Sequence, residues 1–357
     1  STLMRSSAAS DVYKRQYIQF MLVYNRNKMN TMKSIEYYFL MVIVGLCFVF
    51  TSCENEYEVP AAGTTLQNDC IKRSLGPNLV GAKIEFAYAM ALPPSQGKLI
   101  SAKVKASIAG ADGTYLEHRS FYTDQGGDDK GVEIGSPSVT EGMMTEVTFT
   151  KDTCAATLRY YYVIPEEARG KNISFSFYAT DSNGRSVSYD MGTYFISNMD
   201  IKLDMIIPTD SYLSISDMAV YTNENMPTKA DKIDLVYLYR RISGIDFLHA
   251  LVSPGVGSDY LPEIVLPEGV NRMTSLQRTF GAIDQQLARD QYGTFIDDLD
   301  FYQMNFSNAS NFIVNIKKDA GTWVETADGI YRAFIYVNKV DNAKKTMTIS
   351  VKRLRVK

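Results

Sequence analysis

The sequence predicts a mostly β protein built from two domains, and three observations carry that prediction. Apolar and polar residues alternate at a period of two in many short segments, as strands with one buried face require. Gly, Pro, Asn and Asp cluster between those segments, where they supply turn conformations. Only one stretch shows helical spacing. The chain has 357 residues, 45% of them hydrophobic and 22% charged, with a net charge of −3. That is apolar material for two cores, and too much of it for a disordered chain.

Taken in order, residues 98–108, 146–150 and 157–164 read as strands, the last closed by Pro165. Residues 173–179 and 185–189 alternate on either side of Asn183-Gly184, the pair that fits a tight hairpin turn. Short strands at this spacing predict an immunoglobulin- or fibronectin-like β-sandwich over residues 67–198. Cys70 and Cys154 fall in it and are read either as a disulfide or as two unpaired thiols.

A second β-rich domain, sandwich- or jelly-roll-like, is expected over 199–357. Its strands are predicted at 212–216, 232–240, 312–316, 331–337 and 346–354. The last carries the basic C-terminal residues and is read as a strand rather than a polyanion site. Leu276, Phe280, Ile283 and Leu287 recur at three- and four-residue steps and predict one short helix within 274–290. Residues 253–269, rich in Gly and Pro, predict a long ordered loop of the kind that carries binding surfaces.

The N-terminus reads differently. Lys33 precedes an uncharged apolar run from Tyr37 to Phe50, and small Thr51 and Ser52 precede Cys53. That order is a secretory signal, and the run is short for a membrane span. A signal cannot work from behind a polar leader, so residues 1–28 are read as a non-native leader that looks like translated adapter sequence. Residues 29–52 are then the signal peptide, and 53–66 an acidic tether. Residues 1–52 hold six Lys/Arg and two acids, which leaves 31 against 38 and a net charge of −7 for 53–357. No basic groove for nucleic acid is expected.

The segment Phe50-Thr51-Ser52-Cys53 resembles the lipobox of bacterial lipoproteins, with Phe50 where Leu is usual. The resemblance implies that Cys53 is the lipid anchor. The following Glu54-Asn55-Glu56-Tyr57-Glu58 resembles the export tract of Bacteroidetes surface lipoproteins, implying an outer-membrane, cell-surface location. Residues 163–171 and 174–196, with SYLSISDMAVYTNENMPTKADKIDLVYLYR from Ser211 on, resemble an uncharacterised family of secreted Bacteroidetes two-domain surface lipoproteins. Some relatives stand beside glycan-uptake machinery, which implies carbohydrate contact by association only.

Motifs for chemistry are sparse. There is no GxSxG, P-loop, HExxH or Rossmann glycine pattern. Glu166-Glu167, Asp128-Asp129 and Asp297-Asp298 with Asp300 are acid neighbours, which on a strand point to opposite faces and suit turns better than a glycosidase pair. His249, between apolar neighbours, reads as a satisfied, mostly buried histidine, and His118 as an exposed strand position. The loops at 124–129 and 297–300 offer oxygens but not the EF-hand spacing, so no metal and no cofactor is expected. Trp323, placed at a loop edge between strands, is the first candidate for stacking on a sugar, set against packing under the last hairpin. Tyr260, Tyr292 and Tyr302 are secondary candidates, with Phe295 beside them.

The expected function is therefore a non-catalytic, surface-exposed outer-membrane lipoprotein that binds carbohydrate. Membrane attachment is through the N-terminal lipid, and a glycan or an outer-membrane protein is the partner. The alternative is a structural or adhesive lipoprotein that binds a protein or itself.

Overall fold

Alternation in sequence becomes a sandwich in space. In the computed structural model, which describes residues 63–226 and 230–357, the first domain holds eleven strands. They are β1 (Gln67–Lys72), β2 (Lys83–Ala91), β3 (Leu99–Ala106), β4 (Tyr115–Leu116), β5 (Arg119–Thr123) and β6 (Asp129–Glu133). After them come β7 (Val139–Glu141), β8 (Met144–Thr148), β9 (Ala155–Val163), β10 (Asn172–Asp181) and β11 (Ser186–Phe195). Sheet order is β1-β2-β9-β4 opposite β11-β10-β3-β8-β7, with β5-β6 as a separate ribbon. The leader, the signal peptide and the proposed anchor Cys53 lie outside the described residues.

The inward residues of β2 are Ile84, Phe86, Tyr88 and Met90, and those of β10 are Ile173, Phe175, Phe177 and Ala179; all share one core. Phe86 meets Phe175 and Phe177 at ring-centroid distances of 4.8 and 5.3 Å, tilted rather than parallel, as ring quadrupoles favour. The β10–β11 hairpin turns where Asn183-Gly184 predicts, with Gly184 at φ +75°. Buried Asp181 holds that turn by accepting from the Asn183 and Arg185 amides at 2.9 and 3.0 Å.

The second domain holds β12 (Asp200–Pro208), β13 (Ser211–Ser214), β14 (Ala219–Tyr221), β15 (Leu235–Ile242) and β16 (Ile245–Val252). It continues with β17 (Ser275–Thr279), β18 (Phe312–Ile313), β19 (Gly321–Glu325), β20 (Tyr331–Asp341) and β21 (Thr346–Arg355). Its two five-stranded sheets are β12-β21-β20-β19-β17 and β14-β13-β15-β16-β18. Leu235, Tyr237 and Leu251 of one meet Ile335, Ile349 and Val351 of the other in the sandwich core.

Here both sheets are also covered on their outer faces. Trp323, Phe334, Tyr336 and Leu354 lie under the segment after β17, which carries α1 (Gln285–Ala288) and α2 (Asp298–Gln303). Tyr212, Val236, Leu238 and Val252 lie under the 256–270 loop and its neighbours. Hence the central strands read as unbroken apolar runs, buried on both sides, and period two fades from the sequence.

One predicted element differs from what is found, and the cysteines take the second of their two readings. The helical spacing of 274–290 belongs to strand β17 followed by the four-residue α1, and Phe280 is 84% exposed rather than on a buried helix face. Edge pairing of Ser275–Thr279 with β19 outweighs a periodicity carried by four residues. Cys70 and Cys154 are both free thiols. Cys70 pairs with Tyr88 and Tyr88 with Leu158, four residues beyond Cys154. Strand spacing then puts the two cysteines about 16 Å apart, against a limit of about 7 Å for a disulfide.

Candidate functional site

Strand β17 is an edge strand, and it ends where Gly281 takes φ +73°, a left-handed conformation open to glycine at little cost. The turn leaves Phe280 in solvent as the most exposed aromatic side chain among the described residues. Opposite β17 run β18 and the residues after it, the near edge of the other sheet. Two hollows of about 290 and 270 Å³ lie along this seam and meet at Arg278. Leu276 and Phe312 wall the first; Phe280, Asn315 and Lys317 wall the second.

Aromatic rings mark the two ends of the groove, Phe312 at one and Phe280 at the other. At one end Tyr260, from the Gly/Pro-rich loop, stacks on Phe312 with centroids 3.7 Å apart and rings 23° from parallel. At the other, Phe280 stands with the Arg278 guanidinium 5.8 Å from its ring centre. Arg278 Nη2 donates to the Val314 carbonyl, which anchors the side chain across the seam. Partial burial pulls its pKa below the usual guanidinium value. Asn315 carries a buried side-chain oxygen with no hydrogen-bond partner among the described residues.

The larger hollows spend their charges internally. One, of about 610 Å³, is lined by Arg240, Asp210 and Glu263, but Arg240 pairs with Asp210 at 2.6 Å and approaches Glu263 at 3.5 Å. Beside it, His249 is 2% exposed. Its Nδ1 accepts from the Tyr237 hydroxyl at 2.6 Å and its Nε2–H donates to Asn342 Oδ1 at 2.9 Å. Burial holds it below the ordinary imidazole value, so it is a neutral, satisfied histidine. The other, of about 590 Å³ in the first domain, is lined by Glu117, which pairs with Arg119 at 2.9 Å and His118 at 3.3 Å. His118 is half-buried in the link between β4 and β5, not on an exposed strand position.

Of the aromatic candidates, Trp323 cannot stack on a sugar. It sits in the middle of β19, 7% exposed, with Phe334 and Phe301 at 4.9 and 5.1 Å. The loop edge expected there is a strand, and the covering segment with α2 closes over the ring. Tyr292 and Tyr302 are 71% and 57% exposed on that cover, on the far side of both sheets from Tyr260. Phe295 packs against Gly76, where a Cβ would stand 2.3 Å from its ring. The structure thus sets Tyr260 behind the groove wall, stacked on Phe312 rather than lining either hollow, separates Tyr292 and Tyr302 from it, and adds Phe280, Phe312 and Arg278. Exposure of Phe280 has no signal in the sequence except the Phe-Gly pair that ends β17.

The acid neighbours serve turns and caps. Asp124 accepts from the Gly126 and Asp128 amides, both at 2.9 Å, and Asp297 caps α2 in a reciprocal box with Asp300. Among the described residues no group of three or more His, Cys, Asp or Glu side chains is placed to hold a metal, and no helix is long and apolar enough to cross a membrane.

Residues 63–196 match the family model described as domain of unknown function DUF4466, and residues 197–356 match DUF8576. The solved structure of a DUF4466 family protein from Parabacteroides merdae is 46% identical, with a TM-score of 0.78, over 83% of this chain and 100% of that one. The chain belongs to the DUF4466 family. The major pilin subunit of Bacillus cereus matches at 9% identity and a TM-score of 0.25 over 80% of this chain and 66% of that one, too remote to carry an argument. No curated protein matches. For a DUF4466 family member the solved relative fits the two-domain Bacteroidetes family that the sequence resembles.

Proposed function

We propose that this protein is a non-catalytic carbohydrate-binding lipoprotein of the outer membrane, held through Cys53 and facing outward. The first sandwich acts as spacer and the second domain as recognition module. The observation that carries the reading is the seam groove. An exposed Phe280 and the Tyr260–Phe312 stack flank a cation, and apolar ring faces with a few convergent polar groups are what a sugar ring requires. Support for a non-catalytic role comes from the acids near the hollows, since Asp210, Glu263 and Glu117 are committed to arginines. A glycosidase needs two carboxyls free across one cleft.

The test is a glycan-array screen of residues 63–357, which take in both family-model matches, 63–196 and 197–356. Phe280→Ala and Tyr260→Ala are screened beside it. Binding to defined glycans that both substitutions weaken supports the reading. An array without a hit, or hits indifferent to both changes, contradicts it.

A further inference from the structure

We propose that the seam groove selects negatively charged saccharides, with Arg278 as the residue that reads the carboxylate or sulfate; this rests on the carbohydrate reading above. In the same domain Arg240, Arg272, Arg289, Arg332 and Arg353 each sit on an acidic side chain, at 2.8 Å or closer, while Arg241 is held by the Tyr239 hydroxyl and Arg355 by the Lys357 carbonyl. Arg278 has no acidic side chain within ion-pair distance among the described residues. Its one protein acceptor is the neutral Val314 carbonyl, reached by Nη2.

The rest of the fork is open. Nε and Nη1 make no hydrogen bond among the described residues, yet neither is sealed from solvent. A guanidinium takes a carboxylate or sulfate in paired hydrogen bonds along one of two edges, Nε with Nη2 or Nη1 with Nη2, and the Nη2 hydrogen not given to Val314 leaves one such edge for an anion. Val314 fixes the other side, so little side-chain freedom is lost on binding. The surroundings agree. Exposed Lys317 and Lys318 flank the second hollow, against the single carboxylate of Asp319, which also accepts from the Tyr336 hydroxyl at 2.7 Å. This local excess of positive charge stands on a chain that is acidic overall from residue 53 on. Burial already costs Arg278 part of its hydration, and an incoming anion offsets that cost.

Phe280 completes the site. A sugar lying on its ring, with the Arg278 carbon 5.8 Å from the ring centre, brings a ring substituent to the open fork. Recognition is then shared: the aromatic face holds the pyranose, and the guanidinium distinguishes a charged substituent from a hydroxyl.

Two matched pairs of polysaccharide test this by titration calorimetry. Polygalacturonate is compared with its fully methyl-esterified form, and dextran sulfate with dextran. The expected result is at least tenfold tighter binding of the charged member of one pair, and the pair that responds separates carboxylate from sulfate. Arg278→Gln should lose that preference. Lys202→Gln, on the edge strand at the opposite side of the sheet, should stay within twofold. Arg278→Lys keeps the charge without the fork and should retain only part of the preference, and it serves equally if Arg278→Gln fails to fold. Equal binding of charged and neutral members, or equal weakening by Arg278→Gln and Lys202→Gln, overturns the inference. A neutral glycan that binds and is lost in Phe280→Ala overturns it while leaving the carbohydrate reading intact. Failure of every glycan overturns both.

Discussion

Lys352 Nζ lies 2.6 Å from Asp284 Oδ2, and both side chains are fully buried. Lys352 stands on the outer face of β21, and Asp284 begins α1 in the segment that covers that face. The ammonium also donates to the Ile296 carbonyl at 2.8 Å, while Asp284 accepts from the Leu287 and Ile296 amides. The pair therefore ties the cover to the sheet, and burial pulls the Lys352 pKa down against the pull of Asp284.

Removing one partner strands a buried charge. Lys352→Met should destabilise the protein by about 3–5 kcal/mol. The double change Lys352→Met with Asp284→Asn should recover part of that loss. Urea unfolding of the three variants checks this, and a Lys352→Met variant as stable as the parent would contradict the pairing.

The two thiols should behave independently. Burial, with Asp69 nearby, pushes the Cys70 thiol up to about 12, so it is almost wholly protonated at neutral pH. Native alkylation should leave Cys70 unmodified, and full labelling in denaturant should count both cysteines as free. A reductant should not move the melting temperature; a drop of several degrees would reveal a disulfide.

Trp323 is a core residue. Trp323→Ala should cost about 3–5 kcal/mol, as large-to-small changes of buried aromatics do, and native Trp fluorescence should resist acrylamide. Ready quenching would place the ring in solvent.

His249 gives a pH dependence with a definite sign. Its folded pKa lies below the unfolded value of 6.5, so the unfolded chain takes up the proton first. The stability it contributes is present above pH 6.5 and is lost as pH falls below it. Buried Asp234, pushed up to about 6, has the opposite sign in the window between about 4 and 6. Urea midpoints of the parent and His249→Gln at pH 7.5 and 5.5 separate the two. The parent should lose more than the variant on acidification, and an equal or smaller loss would contradict a neutral buried imidazole.

The sandwich of the first domain is legible because each strand buries one face, so Phe175 and Phe177 alternate with Ser174 and Ser176. The second domain is harder to read because both faces of its sheets are covered. Strand β19 shows no alternation, and Trp323 at its centre looks like a loop residue. The groove is harder still, since it joins Arg278 to Val314 and Tyr260 to Phe312 across long stretches of chain. No local pattern announces a contact between two sheet edges. Tyr260 stands out in its Gly/Pro-rich setting; an apparent helical repeat masks Phe280.

The most direct test of the central claim uses the residue that the fold does not need. Phe280 is 84% exposed, so Phe280→Ala should leave the melting temperature unchanged. Its ring should nonetheless be worth at least tenfold in affinity, about 1.4 kcal/mol, for whichever glycan the array identifies. Calorimetric titration of parent and variant with that glycan decides the matter. A tenfold loss at constant stability is the predicted result, and equal affinities would contradict a binding groove at this seam.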